Sequence, residues 1–236
     1  MSDSKWRELE RRWRTSGSVD DEAAWLREGL RAGALSERRI ATAAHLGSEA
    51  AGLALGPSAP SPPEFAERRL LWLRTPGFPS AEAWCATLEP FGWEAAYRIA
   101  VAIARFTIPT WERASNEPDC WLRTSLAAVD AWLACPCADH ARSGYELHLR
   151  VARAAPYPPV PARRKDSSLP GAAVRAVAHL FPLVDLVGDD AGATWCARYA
   201  ARNAQIIGHS SNAVFAAAAQ EVLPWALGPI ETPTRE

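Results

Sequence analysis

The chain has 236 residues, which is the length of one large domain or two small ones. Hydrophobic residues make up 48% of it and charged residues 22%, a balance that is typical of folded globular proteins and excludes disorder throughout. The 26 basic and 27 acidic side chains nearly cancel, so the chain lacks the broad positive field that would hold nucleic acid or an anionic membrane.

The composition favours helices. The sequence contains 47 Ala, 24 Arg and 2 Lys but comparatively few Val, Ile and Thr. Ala, Leu, Arg and Glu are good helix formers, whereas β-branched residues prefer strands. We therefore predict an all-α fold.

Four short helices are predicted in residues 1–56. The first, Lys5–Thr15, places Trp6 and Trp13 on one apolar stripe. The next three are expected to begin after a serine N-cap and to stop at a glycine, which suits the left-handed position beyond a helix end. These pairs are Ser18 with Gly33, Ser36 with Gly47, and Ser48 with Gly56. Ser18 and Asp21 also have the spacing of a capping box, and the tight turns predict two stacked helical hairpins.

A proline-rich linker is predicted at residues 57–64, followed by a larger helical domain over residues 65–236. A second proline-rich stretch, residues 156–171, is expected to be a mobile loop. Pro109 is expected to interrupt the turn that follows a helix ending at Phe106. The whole predicts an array of antiparallel helical hairpins, which allows solenoid-like packing. The helices predicted in the larger domain are Phe65–Arg74, Ala81–Leu88, Trp93–Phe106, Cys120–Ala134, Ala138–Ala154, Ala172–Val187, Ala191–Ile207 and Asn212–Leu227.

The tryptophans at helical spacing are expected to fill gaps between Ala-rich helices. They are Trp6, Trp13, Trp25, Trp93, Trp121 and Trp132. Trp111 follows Pro109 and lies outside any regular stripe, so it is the best candidate for an exposed anchor in a protein interface, where Trp is enriched.

The densest group of metal-ligating residue types is Cys135, Cys137 and His140. Structural zinc sites usually have two separated ligand pairs, and this group lacks the second pair, although Cys120 or His148 could add a fourth ligand in space. The simpler interpretation is a helix break at Pro136 flanked by small thiols. A zinc-binding protein or an enzyme centred on this group is the alternative function. The odd number of cysteines and the absence of an apolar leader favour reduced thiols in a cytoplasmic protein.

No catalytic residue and no cofactor are predicted. His209 stands beside Ser210 and Ser211, but sequence neighbours rarely form a Ser-His pair, and Ser211 is interpreted as a helix cap. The acidic pairs, Asp20 with Asp21 and Asp189 with Asp190, are interpreted as carboxylates at helix N-termini, where they complement the helix dipole. Glycine-rich phosphate loops and the H-E-x-x-H motif do not occur in the sequence.

A polar turn is predicted between Pro109 and Pro118. In it, Glu112 and Asp119 are expected to accept hydrogen bonds from free backbone donors at a helix start, and Arg123 stands four residues after Asp119, where the two can pair. The turn therefore has a complete structural explanation that requires no partner.

The segment from Phe106 to Ala134 also resembles a pattern in helical immunity proteins of bacterial polymorphic toxin systems. The shared features are a Pro-x-Trp-Glu element, an acidic turn, a Pro-Arg-like step and an Ala-rich helix. The segment from Trp6 to Gly47 is similar to a helical module that recurs in large bacterial genomes. The resemblance implies a cytoplasmic protein that binds another protein, such as a toxin.

The leading hypothesis is therefore a non-enzymatic binding protein, and specifically an immunity protein that occludes a toxin. Its expected contact residues are Trp111, Glu112, Asp119 and Arg123, together with the loop at residues 156–171. Neither nucleic acid nor a membrane is an expected partner. A structural subunit of an oligomer is the third interpretation.

Overall fold

The computed structural model describes residues 2–64, 80–115, 121–137, 139–140, 142–143, 146 and 189–229. These residues form helices and contain no strand, so the predicted all-α class is confirmed. None of the described helices combines the length and the apolar run that crossing a bilayer requires. The helices are α1 (Ser2–Ser16), α2 (Val19–Arg31), α3 (Glu37–His45), α4 (Glu49–Leu55), α5 (Ala81–Cys85), α6 (Trp93–Ser115), α7 (Trp121–Ala134), α8 (Asp190–Ile206) and α9 (Ser211–Leu227).

The contacts divide the described residues into two units. The N-terminal unit contains residues 2–64 and 219–229, and the central unit contains the described residues from 80 to 218. The larger domain predicted from the sequence covers residues 65–236. Instead, Leu223, Trp225, Ala226 and Leu227 at the end of α9 pack in the core of the N-terminal unit.

The N-terminal unit is built around stacked indoles. Trp6 and Trp13 lie two turns apart on α1, and both stack on the buried Trp25 of α2, with ring centroids 5.9 and 4.8 Å away. Trp25 is a core residue, as predicted, while Trp6 and Trp13 are partly buried and pack against the core. At Gly29 the backbone of α2 lies close to the side chains of Leu35 and Trp6. A Cβ atom at this position would lie 2.5 Å from Leu35 Cδ1 and 3.0 Å from Trp6 Nε1.

Ser18 is the N-cap of α2, but the predicted capping box does not form. The Ser18 side chain makes no capping hydrogen bond. Asp21 accepts instead from the hydroxyl of Ser16 at 2.6 Å and pairs with Arg12 of α1. An acidic side chain that reaches across to α1 cannot also bond back to its own N-cap. In contrast, Ser48 caps α4 as predicted and accepts from the backbone N–H of Ala51.

The predicted linker packs on the N-terminal unit over part of its length. A 3₁₀ turn, Gly56–Ser58, follows α4, and Ala59 packs against the core. Further along, His45 Nδ1 lies 2.9 Å from the carbonyl oxygen of Ser61. The contacts are made by the methyl group of Ala59 and the backbone carbonyl of Ser61, in a segment whose composition predicted a linker.

The central unit has small residues between its helices. α6 packs against α8, and both present a row of buried alanines, including Ala96 and Ala100 on α6 and Ala197 and Ala200 on α8. Small side chains let helix axes approach, and Ile99 and Ile103 fill the remaining space. The core also contains large rings, because Trp84, Tyr97 and Trp132 are buried.

Two predicted boundaries in the central unit are wrong. α6 does not stop at Phe106 but continues through Pro109 to Ser115. A proline inside a helix costs one backbone hydrogen bond, and here the burial of the neighbouring Thr107 and Ile108 offsets that cost. α5 ends at Cys85, short of Leu88, and the Thr87 hydroxyl donates to the Trp84 carbonyl just beyond it.

The acidic pair before α8 lies at helix N-termini, as predicted, but its two members serve different helices. Asp189 caps α8 by accepting from the backbone N–H of Gly192 at 3.0 Å. Asp190 accepts from the backbone N–H of Trp93, the first residue of α6, at 2.5 Å. The pair therefore fixes the start of α6 beside the start of α8.

Several predicted features lie outside the described residues. These are the helices Phe65–Arg74 and Ala172–Val187, the loop at residues 156–171, most of the helix Ala138–Ala154, and the residues Asp119, Cys120 and His148. Within the predicted helix Ala138–Ala154, Asp139, His140, Arg142, Ser143 and Glu146 are helical.

Candidate functional site

The predicted contact residues Glu112 and Arg123 form an ion pair between two helices. Glu112 lies on α6 and Arg123 on α7, with Arg123 Nε 2.6 Å from Glu112 Oε1 and Nη2 2.8 Å from Oε2. The prediction that Glu112 caps a helix start is wrong, because α6 runs through this position without a turn. The backbone of Trp111 belongs to the same helix, while its side chain and the whole of Asp119 lie outside the described residues.

The Glu112–Arg123 pair links α6 to α7 at the surface of the protein. It is bidentate, which fixes the geometry of the guanidinium against the carboxylate. The side chain of Arg123 is 61% exposed, so solvent weakens the attraction, and such pairs contribute little to stability. Both charges are already satisfied, so a partner would have to compete for them.

A row of side chains on α8, most of them exposed, forms a surface that was not predicted from the sequence. Trp195 and Ile206 are 46% and 42% exposed, and they are two of the few large hydrophobic side chains that stand open to solvent among the described residues. At 100° per residue, five residues of α8 fall within a third of a turn and face away from the buried alanines. We call this row the α8 outer face: Trp195, Arg198, Tyr199, Arg202 and Ile206.

The aromatic end of the α8 outer face is ordered by stacking. The rings of Trp195 and Tyr199 lie 5.2 Å apart with 29° between their planes. Arg198 approaches Glu82 of α5 at 3.8 Å, and Arg202 is exposed. The face therefore combines a rigid aromatic pair, an aliphatic side chain and two guanidinium groups. The spacing 195, 198, 199, 202, 206 is visible in the sequence, but an Ala-rich helix does not show which of its faces is covered.

The thiol and imidazole groups of the Cys-Pro-Cys segment converge just after α7. The backbone N–H of Cys137 donates to the carbonyl of Cys135 at 2.7 Å, which closes a three-residue turn around Pro136. The fixed φ of proline suits this inverse γ-turn. His140 Nδ1 lies 3.3 Å from Cys137 Sγ and 3.0 Å from the Cys135 carbonyl oxygen. The two Sγ atoms and the imidazole nitrogen lie within 4.8 Å of one another.

The two thiols of this group differ in acidity. The backbone N–H of His140 and a hydrogen bond with Cys135 lower the pKa of Cys137 below its ordinary value. Donation to Cys137 raises the pKa of Cys135. Cys137 is therefore the first of the two to become a thiolate, which is the form that binds metals and reacts as a nucleophile.

The other described cysteines are core residues. Cys85 and Cys196 are buried in the central unit as free thiols. Burial raises the pKa of Cys196 to about 12 and raises that of Cys85 further. These side chains therefore behave as small hydrophobic groups and are not reactive sites.

The serines beside His209 serve the backbone. Ser210 accepts from the backbone N–H of Ala213, and Ser211 accepts from that of Ala81 at 3.0 Å. The cap of α9 is therefore Ser210, and the prediction of Ser211 is wrong by one residue. The ring of His209 packs against Phe106, with centroids 4.3 Å apart, and burial lowers its pKa.

Comparison with known proteins gives no relative. No protein-family model matches the chain, and neither a curated protein nor a solved structure is significantly similar to it. The residues themselves are therefore the basis for a functional proposal.

Proposed function

We propose that this chain is a non-enzymatic protein-binding protein and that the α8 outer face is its contact surface. The observation that carries the proposal is the exposed Trp195, stacked on Tyr199 and flanked by Arg198 and Arg202. Trp, Tyr and Arg are the three residue types most enriched among the side chains that dominate binding energy at protein interfaces.

The chemistry of the face defines the partner. Arg202 and Arg198, whose guanidinium group also lies 3.8 Å from Glu82, favour a partial negative charge opposite them, and the ring of Trp195 favours an apolar pocket. The stacked pair loses little side-chain entropy on binding, because its rings are already ordered against each other. The partner is therefore a protein with an acidic patch beside an apolar pocket.

The resemblance of the segment Phe106–Ala134 supports a more specific role, that of an immunity protein that occludes a toxin. Blocking a surface requires no chemical step, so binding alone would be sufficient. In this role the Glu112–Arg123 pair would link α6 to α7 within the protein and would not itself contact the toxin.

The test compares two matched double variants of the tagged full-length protein. The variant W195A/R202E alters the α8 outer face, and L53A/R27E is the control. Leu53 is 45% exposed, Arg27 is exposed, and both lie in the N-terminal unit. Proteins that copurify from the native host would be quantified by mass spectrometry.

We expect a protein whose recovery falls at least tenfold with W195A/R202E and is unchanged with L53A/R27E. Equal losses with both variants, or recovery of no protein, would contradict the proposal. The immunity role further requires that the recovered protein stops growth when it is expressed alone. Coexpression of the wild-type chain should restore growth, and coexpression of W195A/R202E should not.

A further inference from the structure

We propose that Cys135, Cys137 and His140 form a binding site for Zn²⁺, with Cys135 Sγ, Cys137 Sγ and His140 Nδ1 as the protein ligands. The site goes beyond protein binding by α8, from which it is separate in sequence and chemistry.

The backbone holds the ligands together before any ion arrives. α7 is extended by a hydrogen bond from the backbone N–H of Cys135 to the Ala131 carbonyl, and the chain then reverses around Pro136. Because this turn is closed by a backbone hydrogen bond, the two cysteines remain neighbours without a disulfide. The helix break predicted at Pro136 is thus the feature that brings the ligands together.

The spacing fits a tetrahedral ion after small side-chain movements. With Zn–S bonds of about 2.3 Å and Zn–N bonds of about 2.0–2.1 Å, the ligand atoms of tetrahedral zinc lie about 3.5–3.8 Å apart. Here His140 Nδ1 is 3.3 Å from Cys137 Sγ, and the three atoms lie within 4.8 Å. Rotating the side chains so that the ligand atoms move by about 1 Å is therefore sufficient, and the backbone can stay in place.

The hydrogen bonds of the site can be exchanged for bonds to the metal. The Cys135 carbonyl accepts from the Cys137 backbone N–H as well as contacting the imidazole, so it keeps a partner when the ring turns toward the ion. Binding releases the two thiol protons to solvent and places the remaining imidazole proton on Nε2. The charge balances, because two thiolates neutralise one divalent ion.

The donor set selects the metal. Two thiolates and an imidazole favour zinc over magnesium or calcium, which require oxygen ligands. Three ligands leave one position open, as in zinc sites that hold a water molecule. Cys135 is exposed, so water or a group from another molecule can reach that position.

The experiment is a Co²⁺ titration of the reduced, metal-free full-length protein, followed by displacement with Zn²⁺. Cobalt bound to thiolate gives a charge-transfer band that oxygen ligands do not produce. We expect one equivalent to bind with this band. C135S and C137S should each weaken binding at least tenfold, and the double variant C135S/C137S should lose the band.

The matched controls are D139N and W195A/R202E. Asp139 lies between the ligands in sequence and is exposed, so D139N should leave the cobalt affinity unchanged. W195A/R202E should also leave it unchanged, which makes failure of the zinc site distinguishable from failure of the protein-binding proposal. Circular dichroism of each variant confirms that the fold is retained. The absence of a thiolate band in the wild-type protein, or its persistence in C135S/C137S, would overturn the proposal.

Discussion

The N-terminal unit and the central unit are both built from Ala-rich helices, yet they fill the space between helices differently. The N-terminal unit stacks Trp6 and Trp13 on the buried Trp25. The central unit packs buried alanines of α6 against those of α8, and its buried rings, Trp84, Tyr97 and Trp132, meet other rings tilted or edge-on and not in a parallel stack. Large rings tolerate wide spacing between helices, whereas alanine rows require close approach. The same composition therefore supports two kinds of core.

The two units also bury different polar groups. In the N-terminal unit, the buried Glu28 pairs with Arg31 and Lys5, and Asp21 pairs with Arg12. The central unit buries the neutral Cys85, Cys196 and Tyr97, whose pKa values burial raises. The stability of the N-terminal unit should consequently respond to acid, whereas the buried thiols and phenol of the central unit stay neutral.

The largest effect is expected from Trp25→Ala. Trp25 is 5% exposed and stacks on two rings, so its removal leaves a cavity that should cost about 3–5 kcal/mol of unfolding free energy. Denaturant unfolding measures the change. Trp195→Ala is the matched control, since the same residue type lies at the surface, and it should cost less than about 1 kcal/mol. Equal costs would contradict the distinction between packing and exposed indoles.

Ala197→Leu tests the close approach in the central unit. Ala197 is fully buried on α8, which packs against α6. Three added carbon atoms should therefore overpack the core and cost about 1–3 kcal/mol. Ala191→Leu, at an exposed position of the same helix, should change stability by less than about 0.5 kcal/mol. If Ala197→Leu is equally neutral, α6 and α8 are not packed closely.

Two helical glycines should respond to alanine in opposite directions. At Gly29 a new methyl group meets Leu35 and Trp6, so Gly29→Ala should destabilise the N-terminal unit by about 1 kcal/mol, although alanine favours helix. At Gly52 of α4 a Cβ would have no neighbour within 4 Å, and Gly52→Ala should stabilise by about 0.5–1 kcal/mol. Thermal unfolding of the two variants would show changes of opposite sign. Stabilisation by both would contradict the close contact at Gly29.

The smallest effect concerns pH. Hydrogen bonds from Arg31 lower the pKa of Glu28 from 4.5 to about 2. The lowered value stabilises the folded state above pH 4.5, and this contribution is lost as the pH falls toward 2. The difference in unfolding free energy between wild type and Glu28→Gln should therefore shrink over that interval. Burial raises the pKa of Glu22, so Glu22→Gln should stabilise the protein at neutral pH, and this gain should disappear as the pH falls through the raised pKa toward 4.5. A constant difference for Glu28→Gln would contradict the assignment.

Features that depend on local chemistry were predictable from the sequence. Gly33 and Gly47 end α2 and α3 in the left-handed conformation, with φ of 71° and 96°, which their sequence positions indicated. The Ser48 cap and the stripe of Trp6 and Trp13 were equally visible, because each depends on residues within two helical turns.

Features that depend on distant packing were not predictable. Burial of Ile108 holds α6 together through Pro109, and no local pattern reveals that burial. The bond from the Trp93 backbone N–H to Asp190 joins residues 97 positions apart. At the candidate metal site, the sequence pattern identified Cys135, Cys137 and His140 as possible ligands, but it did not predict the turn around Pro136 that brings them together. It did not identify α8, because exposure is a property of the whole fold.

The most direct test of the central claim, that α8 carries the contact surface, is site-specific photocross-linking. A benzophenone-bearing phenylalanine would replace Tyr199 on the α8 outer face, and Leu53 in a control protein, followed by irradiation in the native host. We predict one dominant covalent adduct with another protein from position 199 and none from position 53. No adduct from position 199, or the same adducts from both positions, would contradict the account.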